Sequence, residues 1–240
     1  MFRIPRTVMY FLVAASLMQC GSEYEVLLDG GDRSGPGVYW AEVGVGIQRI
    51  DIYGRGLKTV VSISPPRVPV DLALYPRTGE VYWAEYTGEA IEPVFRIMRA
   101  GLDGTPEALF YQYSTSPNHG PSAIAIDSEA GVIFWNQYQN ISGHHDIWQS
   151  SLASLAPLKW LNMISNPYLY GYALAVDAAN RTIYLSAASY WNTASTFGGG
   201  NNGAIFRGDL TIQDTETLLF AATGFANPSV PFRGIAVDGS

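Results

Sequence analysis

Residues 70–104 read VDLALYPRTGEVYWAEYTGEAIEPVFRIMRAGLDG, and their punctuation decides the fold class. Leu72-Ala73-Leu74 is a short apolar run, followed by an Arg77-Thr78-Gly79 turn and the β-former-rich Val81-Tyr82-Trp83-Ala84. A polar stretch leads to Phe95-Arg96-Ile97-Met98-Arg99, and Leu102-Asp103-Gly104 turns again. Short runs of this kind, bounded by Gly, Pro and Asp, predict an antiparallel meander. A single meander buries too little to stand alone, so the pattern must recur.

It recurs along the chain. The apolar strand returns as Ile124-Ala125-Ile126-Asp127, Leu174-Ala175-Val176-Asp177 and Ile235-Ala236-Val237-Asp238. The aromatic strand returns as Val38-Tyr39-Trp40-Ala41-Glu42, Ile133-Phe134-Trp135 and Ile183-Tyr184-Leu185. The step from strand Ala to aromatic is nine residues each time: Ala73 to Tyr82, Ala125 to Phe134, Ala175 to Tyr184. A third element begins at Ile47, Ile97, Ile147 and Ile205, each with Ile or Leu five residues later (Ile52, Leu102, Leu152, Leu210). Constant spacing inside a unit, with variable loops between elements, marks a structural repeat.

Four strand groups follow. The first is Val38–Glu42, Ile47–Ile52 and Lys58–Ile63. The second is Val70–Tyr75, Glu80–Glu85, Val94–Ala100 and Glu107–Gln112. The third is Ser122–Asp127, Val132–Gln137, Asp146–Leu152 and Lys159–Ile164. The fourth is Tyr172–Asp177, Thr182–Ala187, Ala204–Leu210 and Glu216–Ala222. Gly234–Asp238 is one further apolar strand. Four-stranded repeats of this length read as the blades of an all-β propeller. The Ala-centred strand, apolar on both faces, suits the innermost, fully buried place.

The bulk composition agrees with one all-β domain: 240 residues, Gly-rich, with a net charge of −7 and 15% charged residues. All-β domains commonly run to about 200–250 residues. Clustered Lys and Arg are lacking, which argues against nucleic acid as a partner. The single cysteine excludes an internal disulfide.

That cysteine lies at the end of a targeting segment, residues 1–20. Arg3 and Arg6 give a positive start, and Val8–Met18 is apolar but too short to span a membrane in the ordinary way. Leu17-Met18-Gln19-Cys20 resembles a bacterial lipobox, which implies lipidation at Cys20 and an exported chain tethered to a membrane at the cell envelope. Gln19 departs from the small residue the motif prefers, and the alternative is ordinary signal-peptide cleavage near Ala14-Ala15-Ser16. Residues 21–37 read as a tether, with Tyr24–Leu28 either a degenerate inner strand or part of that tether. The propeller is expected over residues 38–240.

Val81-Tyr82-Trp83-Ala84-Glu85, Ile97–Gly104 and Ile235–Asp238 resemble the YWTD repeats of propellers of the low-density-lipoprotein-receptor type. NHL-type repeats are the nearest alternative, and gluconolactonase-like propellers are more distant. The resemblance implies a ring usually of six blades, whereas four are visible here. It therefore predicts either closure, with Gly234–Asp238 completing the Val38 blade beside Tyr39–Ala41, or an incomplete ring, with Gly234–Asp238 on the last exposed edge against the fourth group. The family's signature Asp becomes Glu42, Glu85, Gln137 and Ala187.

No catalytic motif stands out, and no cofactor or metal is expected. His144-His145-Asp146 reads as a solvated loop, since neighbours on an extended chain point to opposite sides. Asp127, Asp177 and Asp238 recur at the inner-strand ends, where a ring of carboxylates near the axis could bind a cation; the competing reading, which the repetition in every blade favours, is a side-chain carboxylate accepting turn N–H groups. Arg49, Arg99 and Arg207 read as fasteners between strands or blades, and the sequons at Asn140 and Asn180 as accidental. Aromatics outside the repeat point to function. Loops between second and third strands share a face with the inter-blade links, and there stand Tyr86, Tyr113, His119, Tyr138, Tyr168, Tyr170, Tyr190, Trp191 and Phe232. Exposed Tyr and Trp are typical binding anchors; the alternative is that these rings pack their own loops down. The expectation is a non-enzymatic scaffold for a protein or glycan. The competing expectation is a metal-dependent lactonase- or lyase-type enzyme, with Asp71, Tyr172 and Arg233 at the inner-strand starts as its candidates.

Overall fold

The computed structural model describes residues 24–27, 37–87, 94–113, 121–139, 144–161, 169–189, 203–212, 217–221 and 235. Every regular element among them is a β-strand. The first sheet holds β1 (Tyr24–Leu27), β2 (Gly37–Glu42), β3 (Gly46–Asp51) and β4 (Lys58–Ser62). The second holds β5 (Arg67–Tyr75), β6 (Glu80–Thr87), β7 (Phe95–Gly101) and β8 (Ala108–Tyr113). The third holds β9 (Pro121–Asp127), β10 (Val132–Gln139), β11 (His144–Ser151) and β12 (Leu158–Leu161). The fourth holds β13 (Leu169–Asp177), β14 (Thr182–Ser189), β15 (Gly203–Asp209) and β16 (Thr217–Ala221). Each sheet is a simple antiparallel meander in chain order.

The sheets stack face to face, and each core is a seam between two of them. Successive side chains of a strand point to opposite faces. On β6, Val81 and Trp83 therefore join Tyr39, Ala41, Ile47 and Ile63 of the first sheet. Tyr82 and Ala84 join Ile124, Ile133 and Trp135 of the third. The third seam sets Phe134, Ile147 and Trp160 against Leu174, Ile183, Leu185 and Phe206. Burial on both faces is why these strands read as continuous apolar runs.

Two constant spacings now have causes. Gly79, Gly131 and Arg181 close equivalent turns with φ of 67°, 66° and 53°. Their carbonyls accept hydrogen bonds from the N–H groups of Leu102, Leu152 and Leu210 at 2.8, 2.9 and 2.8 Å. The Leu that follows each third-strand Ile thus anchors the turn between the first two strands. Arg181 adopts the left-handed conformation without being Gly, which costs about 1 kcal/mol, and its guanidinium pairs with the buried Asp127 of the neighbouring sheet. The second spacing concerns the outer strands. All four shift register at the same place, opposite Ile47/Gln48, Ile97/Met98, Ile147/Trp148 and Ile205/Phe206. The extra residue in the second and third sheets is Phe110 or Trp160, whose ring packs edge-on to Tyr82 or Phe134 at 5.4 and 5.6 Å.

Among the described residues the inner strands touch in series, β1 to β5, β5 to β9 and β9 to β13. Of the two readings of Tyr24–Leu28, inner strand or tether, the structure shows the strand. Tyr24–Leu27 pairs with β2 in the register Tyr24↔Trp40 to Leu27↔Gly37. The blade therefore starts before Val38, inside the stretch expected as a tether. With β1 on one edge of β2 and β3 on the other, no strand position remains for Gly234–Asp238 beside Tyr39–Ala41. Of that segment only Ile235 is described, half-buried and outside any strand. His144 and His145, expected in a loop, are strand residues of β11 opposite Gln139 and Tyr138.

Candidate functional site

Two positions after the Trp of the second strand, three of the sheets carry a hydrogen-bond acceptor for its indole. Residues two apart on a strand share a face, so an acceptor two after Trp can reach the indole. Trp83 Nε1 donates to Glu85 Oε2 at 2.8 Å, Trp135 Nε1 to Gln137 Oε1 at 3.2 Å, and Trp40 Nε1 to Glu42 Oε2 at 3.4 Å. The fourth sheet has lost donor and acceptor together, as Leu185 and Ala187. A buried indole N–H needs a partner, and that need explains why both disappear at once.

Glu85 is fully buried. Arg67 meets it with two hydrogen bonds, Nε to Oε1 at 2.9 Å and Nη2 to Oε2 at 2.8 Å, and reaches Glu107 at 2.8 and 2.7 Å. These bonds, above all those from Glu107, push the Arg67 guanidinium further above its already high pKa. In the third sheet the buried Asp146 is met by Lys159 at 2.6 Å, and the Lys159 ammonium lies 6.0 Å from the centre of the Trp148 ring. Unlike a repeated turn Asp, these two charged sets differ from sheet to sheet.

The repeated carboxylates act in turns. Asp127 Oδ1 accepts from Glu129 and Ala130 N–H, and Asp177 Oδ1 from Asn180 N–H, all at 3.0 Å. The Asn180 side chain donates a further bond to Asp177, and holds its carboxyl below the ordinary carboxylate range. Thr105 and Thr211 do the same for Asp103 and Asp209 in the third-to-fourth-strand turns. Asp238 lies outside the described residues.

Asp71, the enzyme candidate, is occupied as well. Its carboxylate accepts Leu72 N–H at 2.8 Å and, across the seam, Ile124 N–H at 2.7 Å, beside the register shift between Pro69 and Asp71. Tyr172 is the residue skipped by the matching shift in β13, and Arg233 lies outside the described residues. Of the expected fasteners, Arg49 donates to the Tyr39 hydroxyl at 3.0 Å within one sheet, Arg99 lies 3.7 Å from Glu80, and Arg207 is exposed. Among the described residues, the arginines that tie one sheet to another are instead Arg181, to Asp127, and Arg77, to the Glu129 carbonyl at 2.8 Å. They occur singly, so no repeat signals them.

The expected aromatic face is partly described. Tyr86, Tyr113, Tyr138 and Tyr170 are strand residues near the ends of β6, β8, β10 and β13, where loops were expected. The strands run on because pairing does: Tyr86 faces Phe95, Tyr138 faces His145, and Leu169 faces Ser189. Tyr86 and Phe95 are both half-buried, with ring centres 5.7 Å apart. His119, Tyr168, Tyr190, Trp191, Phe232 and Cys20 lie outside the described residues. No group of three or more His, Cys, Asp or Glu side chains suited to a metal ion occurs among the described residues.

No family model matches the chain. Among solved structures, a chain of the nidogen–laminin complex is similar at 15% identity and a TM-score of 0.51, over 84% of this chain and 78% of that one. Oligogalacturonate lyase from Vibrio parahaemolyticus gives 7% identity and a TM-score of 0.53, over 77% of this chain and 50% of the lyase. A prolyl endopeptidase gives 11% and 0.51, over 90% of this chain and 34% of the peptidase. The similar folds are those of propeller proteins, and the meander sheets stacked in series are its blades. The fold is a β-propeller. The propeller spans most of the nidogen-complex chain but only about half of the lyase, and its similar structures include both binding proteins and enzymes.

Proposed function

We propose that this propeller is a non-enzymatic scaffold of the YWTD type that binds a protein or glycan at the cell envelope. The observation that carries the reading is the Tyr86–Phe95 pair. Two half-buried rings stand 5.7 Å apart where the second and third strands of a blade turn toward one face. Paired aromatics offer large contact area at little entropic cost, which suits recognition rather than bond-making. The rival reading, a metal-dependent lactonase or lyase, needs free acid–base groups at the inner-strand starts. The Asp71 carboxylate there is bound to two backbone N–H groups, which speaks for structure. Metal analysis of the purified protein separates the two: the scaffold carries no stoichiometric divalent ion, and one ion per chain would favour the enzyme.

The lipobox-like end at Cys20 supports export and a lipid tether. Cys20→Ser is expected to move the protein from the membrane fraction to the soluble one with unchanged melting, because Cys20 precedes every described strand. Equal membrane association of variant and parent would sink the tether.

A further inference from the structure

In the first three blades one face is sealed by the blade that follows. The sealed positions are equivalent: Tyr39, Tyr82 and Phe134 are 1%, 0% and 2% exposed, and Ile47, Ile97 and Ile147 are 0%, 0% and 1% exposed. In the fourth blade the same positions are Tyr184 and Ile205, both only half-buried, and the register-shift position of β16 holds Leu219 at 46% exposure. The face of the fourth blade turned away from the third is thus built like a seam and lacks its second wall among the described residues.

What covers the other seams first is always an inner strand, through the two apolar residues flanking its Ala. Leu72 and Leu74 pack on Tyr39 and Ala41. Ile124 and Ile126 pack on Ala73 and Tyr82. Leu174 and Val176 pack on Ala125 and Phe134. The chain holds one more segment with that sequence pattern, Ile235-Ala236-Val237. From the last outer-strand residue to the first flanking residue, Ser62 to Leu72, Tyr113 to Ile124 and Leu161 to Leu174, the links are ten, eleven and thirteen residues long. From Ala221 to Ile235 it is fourteen. That link is one residue longer than the longest of the three and so long enough, and an exposed apolar sheet face is a liability that a covering strand removes.

We propose that Gly234–Asp238 seats on this face of the fourth blade, beside β13, with Ile235 and Val237 against Tyr184 and Ala175. Hydroxyl-radical footprinting of the full chain at low concentration tests it. Tyr184 should label slowly, close to buried Tyr82 and far from exposed Tyr53. In Ile235→Asp/Val237→Asp its labelling should rise severalfold, while Tyr39 and Tyr82 stay protected and so report an intact fold. If Tyr82 also becomes labelled, Ile235→Ala/Val237→Ala replaces that variant with the same expectation. Three results overturn the proposal. Tyr184 labels as fast as Tyr53 in the parent; or its protection is unchanged in a folded variant; or protection disappears on dilution together with a dimer, in which case a second copy covers the face.

Discussion

Trp160→Ala should cost about 3–5 kcal/mol, the range for emptying a large buried aromatic site. Trp160 is the extra residue of the register shift in β12, 2% exposed, and its ring fills the seam between third and fourth blades. It meets Phe134 edge-on at 5.6 Å, and a Cβ added at Gly208 would lie 2.7 Å from its Cη2. Gly208→Ala should therefore destabilise by overpacking, by about 1–3 kcal/mol. In the Trp160→Ala background that penalty should largely vanish, because the clashing atoms are gone. Urea unfolding of the four proteins measures the coupling. Additive costs would mean that Trp160 does not sit over Gly208.

Glu85→Ala should cost about 3 kcal/mol, the low end for removing one partner of a buried ion pair. The substitution strips Trp83 Nε1 of its acceptor and leaves Arg67 with Glu107 alone. The low end applies because Arg67 keeps that second carboxylate and remains partly in water. Glu85→Gln should cost less: it restores the indole acceptor, and Gln137 already serves Trp135 in this way. Glu107→Gln should cost under about 1 kcal/mol, since Glu107 is the exposed partner. Urea midpoints in the order Glu107→Gln, Glu85→Gln, Glu85→Ala, from mildest to worst, check the ranking. Equal midpoints for the two Glu85 variants would assign the whole effect to the ion pair and none to the indole.

The blades were legible because their cause is local and repeated. Ala73, Ala125 and Ala175 sit nine residues before an aromatic since a two-strand hairpin with one fixed turn sets that interval. The indole acceptors could also have been read: an acceptor follows Trp40, Trp83 and Trp135 by two positions and is missing where Leu185 replaces Trp. The first inner strand was legible only as one of two readings, strand or tether. Tyr24–Leu27 has no central Ala, and its link to Gly37 is longer than the repeated turn, so the pairing with β2 decides between them. Ties made once, such as Arg77 to Glu129 and Asp71 to Ile124, join residues about fifty positions apart and leave no periodic trace. For the candidate face, the sequence located the aromatics but ended the strands too early. The cross-strand partner of Tyr86, Phe95, is visible only once the register is known.

The binding reading is tested most directly by capture of envelope glycans and solubilised envelope proteins on the immobilised full-length protein. The parent is compared with Tyr86→Ala, Phe95→Ala and, as a control away from that face, Tyr53→Ala. The account predicts a saturable ligand whose affinity falls at least about tenfold in each of the first two variants, the loss typical of a binding anchor, with melting unchanged and Tyr53→Ala like the parent. A ligand retained at full affinity by both Tyr86→Ala and Phe95→Ala would contradict it.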